Sequence, residues 1–443
     1  MTIEKIRRYR ARLWHSPLAR RFAKGAFWIF FGTAGSKVFG LLGNIAVTRL
    51  VHKEAFGEIS MVFTTYTLFQ FASASYFGAT ANRYVAAYRD KHPERIPWVV
   101  SLTLASTTAV GLICAMGLFF GAKTLAAGNL NAPHLAYPLQ IVTVTVFCTA
   151  INSVLMGILG GYEKFRLVSI LTIVTNVITP LCLVLGAFSN RINGYFTGFA
   201  IAAVAGLAVD CVIVGRVLRR QDITLRKCLR APREWAILWD YTFPAMLCGI
   251  MMVPVQWYCQ QYLFKSPDGK AQMGAYAAAY QYLMIVMFMI KAFSDVASPM
   301  LANLFGSGDL KRYRRMFLGS FATTVGTATA LSAAIALLGP FLMGIFGKEF
   351  RNDYNILYVI CVLAVTQSAD TMANRLVGSC GKLWINTAGS ALLAIVSLGV
   401  SLYLIPNYGA VGLGWGQSLG NVARFAFNAI YMEIFFRRVS SKR

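Results

Sequence analysis

KGAFWIFFGTAGSKVFGLLGNIAVTRLVHKEAFGEISMV, residues 24–62, is the stretch on which the fold turns. Between Gly25 and Thr48 it is almost wholly apolar, long enough at about 1.5 Å per residue to cross a hydrocarbon core of about 30 Å. It nevertheless carries Lys37 in its middle and closes on Arg49. A short polar turn, His52-Lys53-Glu54, then leads through Phe56-Gly57 into a second apolar run. Hydrocarbon offers no hydrogen bonds, so a spanning segment satisfies its backbone internally, as a helix. The stretch therefore reads as a spanning helix, a tight turn and the start of another.

The rest of the chain repeats that pattern. Of its 443 residues 57% are hydrophobic and 13% charged, which excludes an ordinary soluble globule. The expected fold is an all-α polytopic membrane protein of about twelve spans. They fall near 24–50, 56–82, 97–121, 135–161, 166–188, 195–215, 237–264, 272–305, 314–346, 354–379, 383–405 and 411–435. Pro97, Pro138, Pro340 and Pro406 sit at or near ends, whereas Pro180, Pro244, Pro254 and Pro299 fall inside spans, where kinks are expected.

Basic residues order the loops. With the 42 Lys and Arg placed against the spans, roughly 30 gather on alternate loops and about 7 on the intervening ones. The cation-rich set includes Arg7 to Lys24, Arg89 to Arg95, Lys164 and Arg166, Arg216 to Arg233, Lys311 to Arg315, Lys382 and Arg437 to Arg443. The cation-poor set is Lys53, Lys123, Arg191, Lys265, Lys270, Lys348 and Arg351. Positive loops stay in the cytoplasm, so both termini are expected there. The net charge of +25 thus faces lipid head groups, not nucleic acid. The basic start is not read as a secretory signal, because its apolar part is too long and carries Lys37. The expected organisation is a basic amphipathic segment (1–23), a six-helix lobe (24–218), a basic linker (219–236), a second six-helix lobe (237–436) and a basic tail (437–443).

Weak echoes recur between the halves about 215 to 218 residues apart. Phe56-Gly57 answers to Met273-Gly274, Gly160-Gly161-Tyr162-Glu163-Lys164-Phe165 to Gly378-Ser379-Cys380-Gly381-Lys382-Leu383, and Asn193-Gly194 to Tyr408-Gly409. Six helices per half make two pseudo-symmetric lobes about an axis along the membrane normal, with a central cavity near the midplane.

With these features in place, residues 24–62 resemble the polysaccharide transporter family, flippases of lipid-linked oligosaccharide repeat units within the multidrug/oligosaccharidyl-lipid/polysaccharide exporter superfamily. GGYEKFRLVSI after the fourth span and PNYGAVGLGWG before the twelfth fit the same pattern. Val51-His52-Lys53-Glu54-Ala55 departs from it, since the family often has a glycine-proline turn there. The resemblance implies a bacterial inner-membrane transporter acting in O-antigen or exopolysaccharide biosynthesis by alternating access. It implies a polyprenyl-diphosphate-linked oligosaccharide as substrate, with the polysaccharide polymerase and chain-length machinery as partners.

Charge inside the spans carries the functional reading. A Lys, Arg or Asp at a helix centre costs about 2.5–3.5 kcal/mol on insertion scales, so it faces a partner or a wet cavity. Lys37, Lys291 and Arg424 are deep, whereas Arg49, Arg83 and Arg375 lie nearer span ends, where snorkelling is the alternative. Asp295, four residues after Lys291, and Asp370, at a depth matching Arg424, are the candidate charge partners. Lys37 has no acid near it in its own or the next span. These cations suit a diphosphate, which hydrocarbon otherwise excludes. Gln256, Trp257, Gln260 and Gln261 in the seventh span and Tyr276, Tyr280 and Gln281 in the eighth are candidate sugar ligands, with Tyr66 and Gln70 a weaker counterpart. An interfacial aromatic belt is the alternative for Trp257, Tyr258 and Tyr262.

Rival readings are a lipid-linked peptidoglycan-precursor flippase, a multidrug or cation antiporter, and a membrane glycosyltransferase, ligase or polymerase. An antiporter wants deep carboxylates, and the first lobe has only Asp210. No nucleophile or catalytic acid pair stands out, so no enzyme is expected. The nine cysteines form no CxxC or Cys/His cluster, so neither metal nor cofactor is expected. Coupling to membrane potential or to a Na+/H+ gradient stays open.

Overall fold

The computed structural model describes residues 17–74, 76–221, 242, 251–307, 310–380 and 383–440. The helices are α1 (Pro17–Ala74), α2 (Phe77–Tyr88), α3 (Ile96–Thr124), α4 (Ala136–Gly161), α5 (Phe165–Arg220), α6 (Val253–Lys265), α7 (Gly269–Gly306), α8 (Leu310–Leu337), α9 (Gly339–Phe346), α10 (Tyr354–Ser379) and α11 (Leu383–Ser440). Three are longer than any bilayer, and each breaks where a polar turn was expected. α1 breaks at His52 (φ 64°), α5 at Asn190 and Arg191 (φ 40° at the latter), and α11 at Gly409 (φ 55°). Dividing each there, and reading α2 as the continuation of α1 and α9 of α8, gives helices at the twelve expected positions, the seventh described as a helix only over Val253–Lys265. All three breaks are on the cation-poor face.

Proline behaves differently from its expectation at one place. α5 runs through Pro180 with helical dihedrals and departs from them only at Asn190 and Arg191, because the reversal of direction, not the missing N–H, dictates the break. Pro254 does interrupt its span, sitting in the first turn of α6, where its absent donor costs nothing. Pro244 and the ring of Pro299 lie outside the described residues.

Burial shows how the two lobes meet. One buried apolar cluster joins Val51, Phe56 and Ile59 of α1 and Leu135 and Leu139 of the first lobe to Leu263, Tyr276, Phe346 and Leu357 of the second. Toward the cation-rich face the buried side chains separate. Phe77, Val85, Val99 and Ile158 form one cluster inside the first lobe, and Leu301, Tyr313, Val377 and Met432 another inside the second. Among the described residues, then, the lobes share an apolar core at the cation-poor end, while toward the other end their apolar clusters are separate and the buried hydroxyls of Thr80 and Thr242 meet across the lobe boundary at 2.7 Å. Phe120, Phe188, Leu337 and Trp384 point outward, exposed, as lipid-facing side chains do.

The joint is made of backbone. A Cβ on Gly57 would lie 1.9 Å from the carbonyl oxygen of Lys270, and one on Gly274 would lie 2.2 Å from that of Lys53, so no side chain fits at either glycine. The two contacts are reciprocal: 57 to 274 and 53 to 270 are both steps of 217 residues. The pseudo-symmetry axis passes between them. Around this joint polar groups tie lobe to lobe. Lys53 Nζ meets Asp353 at 2.6 Å, Lys270 Nζ meets Glu58 at 2.7 Å, and His52 Nδ1 meets Glu349 at 3.3 Å. Arg49 Nε donates to the carbonyl of Ile345 at 3.1 Å.

The second lobe carries its own internal tie. Asp370 of α10 is fully buried and takes the guanidinium of Arg424 on α11 through both oxygens, with Nε to Oδ1 at 2.7 Å. Arg424 also donates to Ser390 Oγ at 3.3 Å. Two charges out of water hold only if each satisfies the other, so the pair is all-or-none.

Two outcomes follow from these contacts. Gly57→Leu forces the lobes apart at the cation-poor end; nitroxide labels placed at Glu54 and Lys348 will report a longer distance by pulsed electron resonance than in the parent protein. Asp370→Leu strands the arginine and lowers stability by roughly 3–5 kcal/mol, whereas Asp370→Leu with Arg424→Met recovers most of it in thermal melts of detergent-solubilised protein.

Candidate functional site

Two of the deep cations are lysines, one on each lobe. Lys37, on the first half of α1, and Lys291, on α7, are both exposed, and they are near enough for the charge of Lys291 to act on Lys37. Among the described residues neither has a carboxylate within ion-pair distance nor a hydrogen bond from its ammonium group. The side chain of Asp295, the candidate partner of Lys291, lies outside the described residues. Among the described residues, then, one exposed lysine on each lobe has no carboxylate to neutralise it, an arrangement that suits a polyanion.

The other four cations are disposed elsewhere. Arg424 is engaged by Asp370, the structural pairing that its depth allowed. Arg49 belongs to the ties at the cation-poor end. Arg375 is half-buried and donates to the carbonyl of Ser294 at 3.2 Å, bracing α10 on α7 within the second lobe. Arg83 is exposed near the cation-rich end of α2.

The candidate sugar ligands of the seventh and eighth spans roof the cleft. Trp257 Nε1 donates to Thr65 Oγ1 at 3.0 Å, and Gln260 Oε1 accepts from Thr64 at 2.6 Å, both across the lobe boundary. Gln261 donates to the carbonyl of Asn129 at 2.6 Å. Trp257 therefore faces the opposite lobe, not an aromatic belt, whereas Tyr258 and Tyr262 are exposed as belt residues are. Tyr276 is 2% exposed, donates to Gln417 Oε1 at 3.0 Å and stacks on Tyr280 with ring centroids 5.8 Å apart. Gln256 and Gln281 are half-buried. In this conformation the group closes the cleft.

Tyr66 and Gln70, the weaker counterpart, lead to a feature that sequence reasoning missed. Tyr66 is 4% exposed and donates to Thr149 Oγ1 at 3.4 Å, and below it Gln70 lines a cavity of about 400 Å³ with Asn82, Thr149 and Ser153. The cavity sits where α1 ends at Ala74 and α2 begins at Phe77. Its signal in the sequence is the polar run Thr149, Asn152, Ser153 at helical spacing in an otherwise apolar span. Asn152 donates to Asp210, so the first lobe's deep acid has a neutral partner.

Comparison with known proteins agrees with this architecture. The family model described as polysaccharide biosynthesis protein matches residues 22–305. The EPS I polysaccharide export inner membrane protein EpsE of Ralstonia nicotianae is 20% identical, the match covering 88% of this chain and 89% of that protein. Lipid II flippase MurJ of Bacillus subtilis is also 20% identical, over 94% of this chain and 83% of its own length. Among solved structures, an inward-facing multidrug resistance transporter of the MATE family superposes with a TM-score of 0.79 at 16% identity, covering 91% of this chain and 96% of that one. A lipid II flippase MurJ in an inward closed conformation gives 0.72 at 14% identity, covering 91% and 87%. A two-lobed helical fold, a family model spanning more than half the sequence and relatives matched over nearly their full lengths converge: this chain belongs to the polysaccharide biosynthesis protein family and is a multi-pass membrane transporter with the fold of the MATE and MurJ proteins.

Proposed function

We propose that the protein is a flippase carrying polyprenyl-diphosphate-linked oligosaccharide repeat units from the cytoplasmic to the outer leaflet, for O-antigen or exopolysaccharide biosynthesis. The observation that carries the reading is that Lys37 and Lys291, one deep in a span of each lobe, are both exposed and have no ion pair with any described carboxylate. A diphosphate brings about two negative charges, and a site with one ammonium group on each lobe binds it only when both lobes are near. Empty, the two ammonium groups repel and favour separation at their depth. Loaded, the anion bridges them, so binding lowers the barrier to the change of access. The polyprenyl tail stays in lipid throughout, alongside the cleft.

The positive-inside rule assigns the cation-rich face to the cytoplasm, with both termini there. On that orientation the Gly57–Gly274 joint and its ion pairs hold the lobes together at the outer end. An inside-negative potential acts in the useful direction on both half-cycles, by about 2.3 kcal/mol per charge per 100 mV. It expels the anion outward and draws the empty, positive cleft back. The same charges disfavour a cationic drug as cargo. A peptidoglycan-precursor flippase shares this logic, and the relation to MurJ keeps it as the second reading.

In proteoliposomes loaded with the host's lipid-linked glycan, Lys37→Ala and Lys291→Ala will each slow flipping about tenfold or more, the worth of one charged hydrogen bond, without changing insertion. An imposed inside-negative potential will accelerate the parent protein. Flipping that ignores both the lysines and the potential overturns the reading. Faster transport of lipid II than of the repeat unit selects the second one.

A further inference from the structure

The 400 Å³ cavity of the first lobe has a chemistry unlike that of the lysine cleft. None of the nine described residues lining it is charged. The side-chain amides of Gln70 and Asn82 make no hydrogen bond to any described residue, so both present an N–H2 donor and a carbonyl acceptor to the cavity. Thr149 Oγ1 donates to the carbonyl of Thr145 at 2.8 Å and Ser153 Oγ to that of Ala74 at 2.9 Å. Each hydroxyl has thereby used its proton on backbone and keeps an oxygen lone pair for a donor from outside. The walls are held by backbone contact: a Cβ on Gly157 would lie 2.1 Å from the carbonyl oxygen of Gly78, so α2 and α4 touch directly beside the cavity. Open donors and acceptors that water reaches at membrane depth suit a ligand that is polar and uncharged and can take the place of that water. Its volume is within the range of about 300–1,000 Å³ typical of small-molecule sites.

Pseudo-symmetry places this pocket relative to the lysines. The 217-residue step that relates Gly57 to Gly274 carries Ala74, which lines the cavity, onto Lys291. The same helical position, at the same depth, is therefore cationic in the second lobe and neutral and hollow in the first.

We propose that this cavity binds the sugar of the lipid-linked substrate next to its diphosphate, reading hydroxyl or acetamido groups through Gln70, Asn82, Thr149 and Ser153 while the lysine pair holds the diphosphate. The assignment rests on the flippase reading above and adds to it a separate recognition element for the neutral part of the molecule. Sugars are dense in hydroxyls that both donate and accept, and amides with free donors and acceptors match them where charged groups do not. The first lobe thus sets glycan preference and the lysines supply affinity for any polyprenyl diphosphate.

Purified protein in nanodiscs tests the assignment with two probes: bare polyprenyl diphosphate, and the polyprenyl-diphosphate-linked glycan fraction extracted from the host's own membranes, each competing with a fluorescent polyprenyl diphosphate. The parent protein will prefer the glycan-bearing lipid by about tenfold or more, the worth of one or two hydrogen bonds. Thr149→Val with Asn82→Leu, and separately Ala79→Phe, which fills the cavity, will bring that preference to near unity while leaving bare-lipid affinity and melting temperature unchanged. Lys37→Gln will weaken both lipids by the same factor. A preference that survives in both cavity variants, or its absence from the parent protein, overturns the sugar site. Bare-lipid binding that ignores Lys37→Gln and Lys291→Gln overturns the anion cleft instead, and the two failures are read from different columns of the same measurement.

Discussion

Everything in this molecule is arranged around one contact, the meeting of two glycine backbones on the pseudo-symmetry axis. Gly57 and Gly274 bring α1 and α7 to a separation that no side chain permits, each against a carbonyl of the other lobe. Small residues at a crossing between membrane helices let dispersion and weak backbone contacts act at short range, since apolar side chains gain nothing by leaving lipid. The contact is near the cation-poor end, where the lobes share their apolar core, and toward the other end each lobe's apolar cluster closes on itself. The ion pairs Lys53–Asp353 and Lys270–Glu58 surround the joint where water can reach them, so they strengthen closure without fixing it. Moving the glycines one turn along their helices would move the cleft as well.

The sequence displays some of this plainly, and the physical reason is that lipid imposes one-dimensional constraints. Span length and the alternation of basic loops are read along the chain, and the breaks at His52, Asn190–Arg191 and Gly409 fall where polar turns interrupt apolar runs. The repeat is legible for the same reason, and its echo at Gly57 and Gly274 turned out to mark the axis itself. Depth along a helix is legible too. The direction a side chain takes around the helix is not, and there the reading divides. Arg424 and Lys37 look alike by depth, yet one is clasped by Asp370 and the other is exposed with no described carboxylate within ion-pair distance, because the acid that decides the matter comes from a different helix. Trp257 is a similar case. An aromatic one turn from a span end suits a lipid interface, and only the packing of α6 against α1 shows its indole N–H directed at Thr65.

The cavity of the first lobe escaped notice because each of its polar residues is individually ordinary. Serine and threonine in membrane helices return their protons to a carbonyl one turn back, as Thr149 does to Thr145, and so read as benign helix formers. What distinguishes the site is their convergence with Gln70 and Asn82 at the place where α1 gives way to α2. Interrupted helices at membrane depth occur where backbone is buried in protein or lines a polar space, and here the space is present.

Set side by side, the equivalent faces of the two lobes show how a duplicated bundle becomes selective. A symmetric ancestor would present the same group at the positions now held by Ala74 and Lys291. At this position divergence gives the second lobe a charge and leaves the first a neutral hollow. On the flippase reading proposed above, a ligand that touches both lobes is gripped in one arrangement of the lobes and loosened in the other, so its release needs only the separation of the two half-sites.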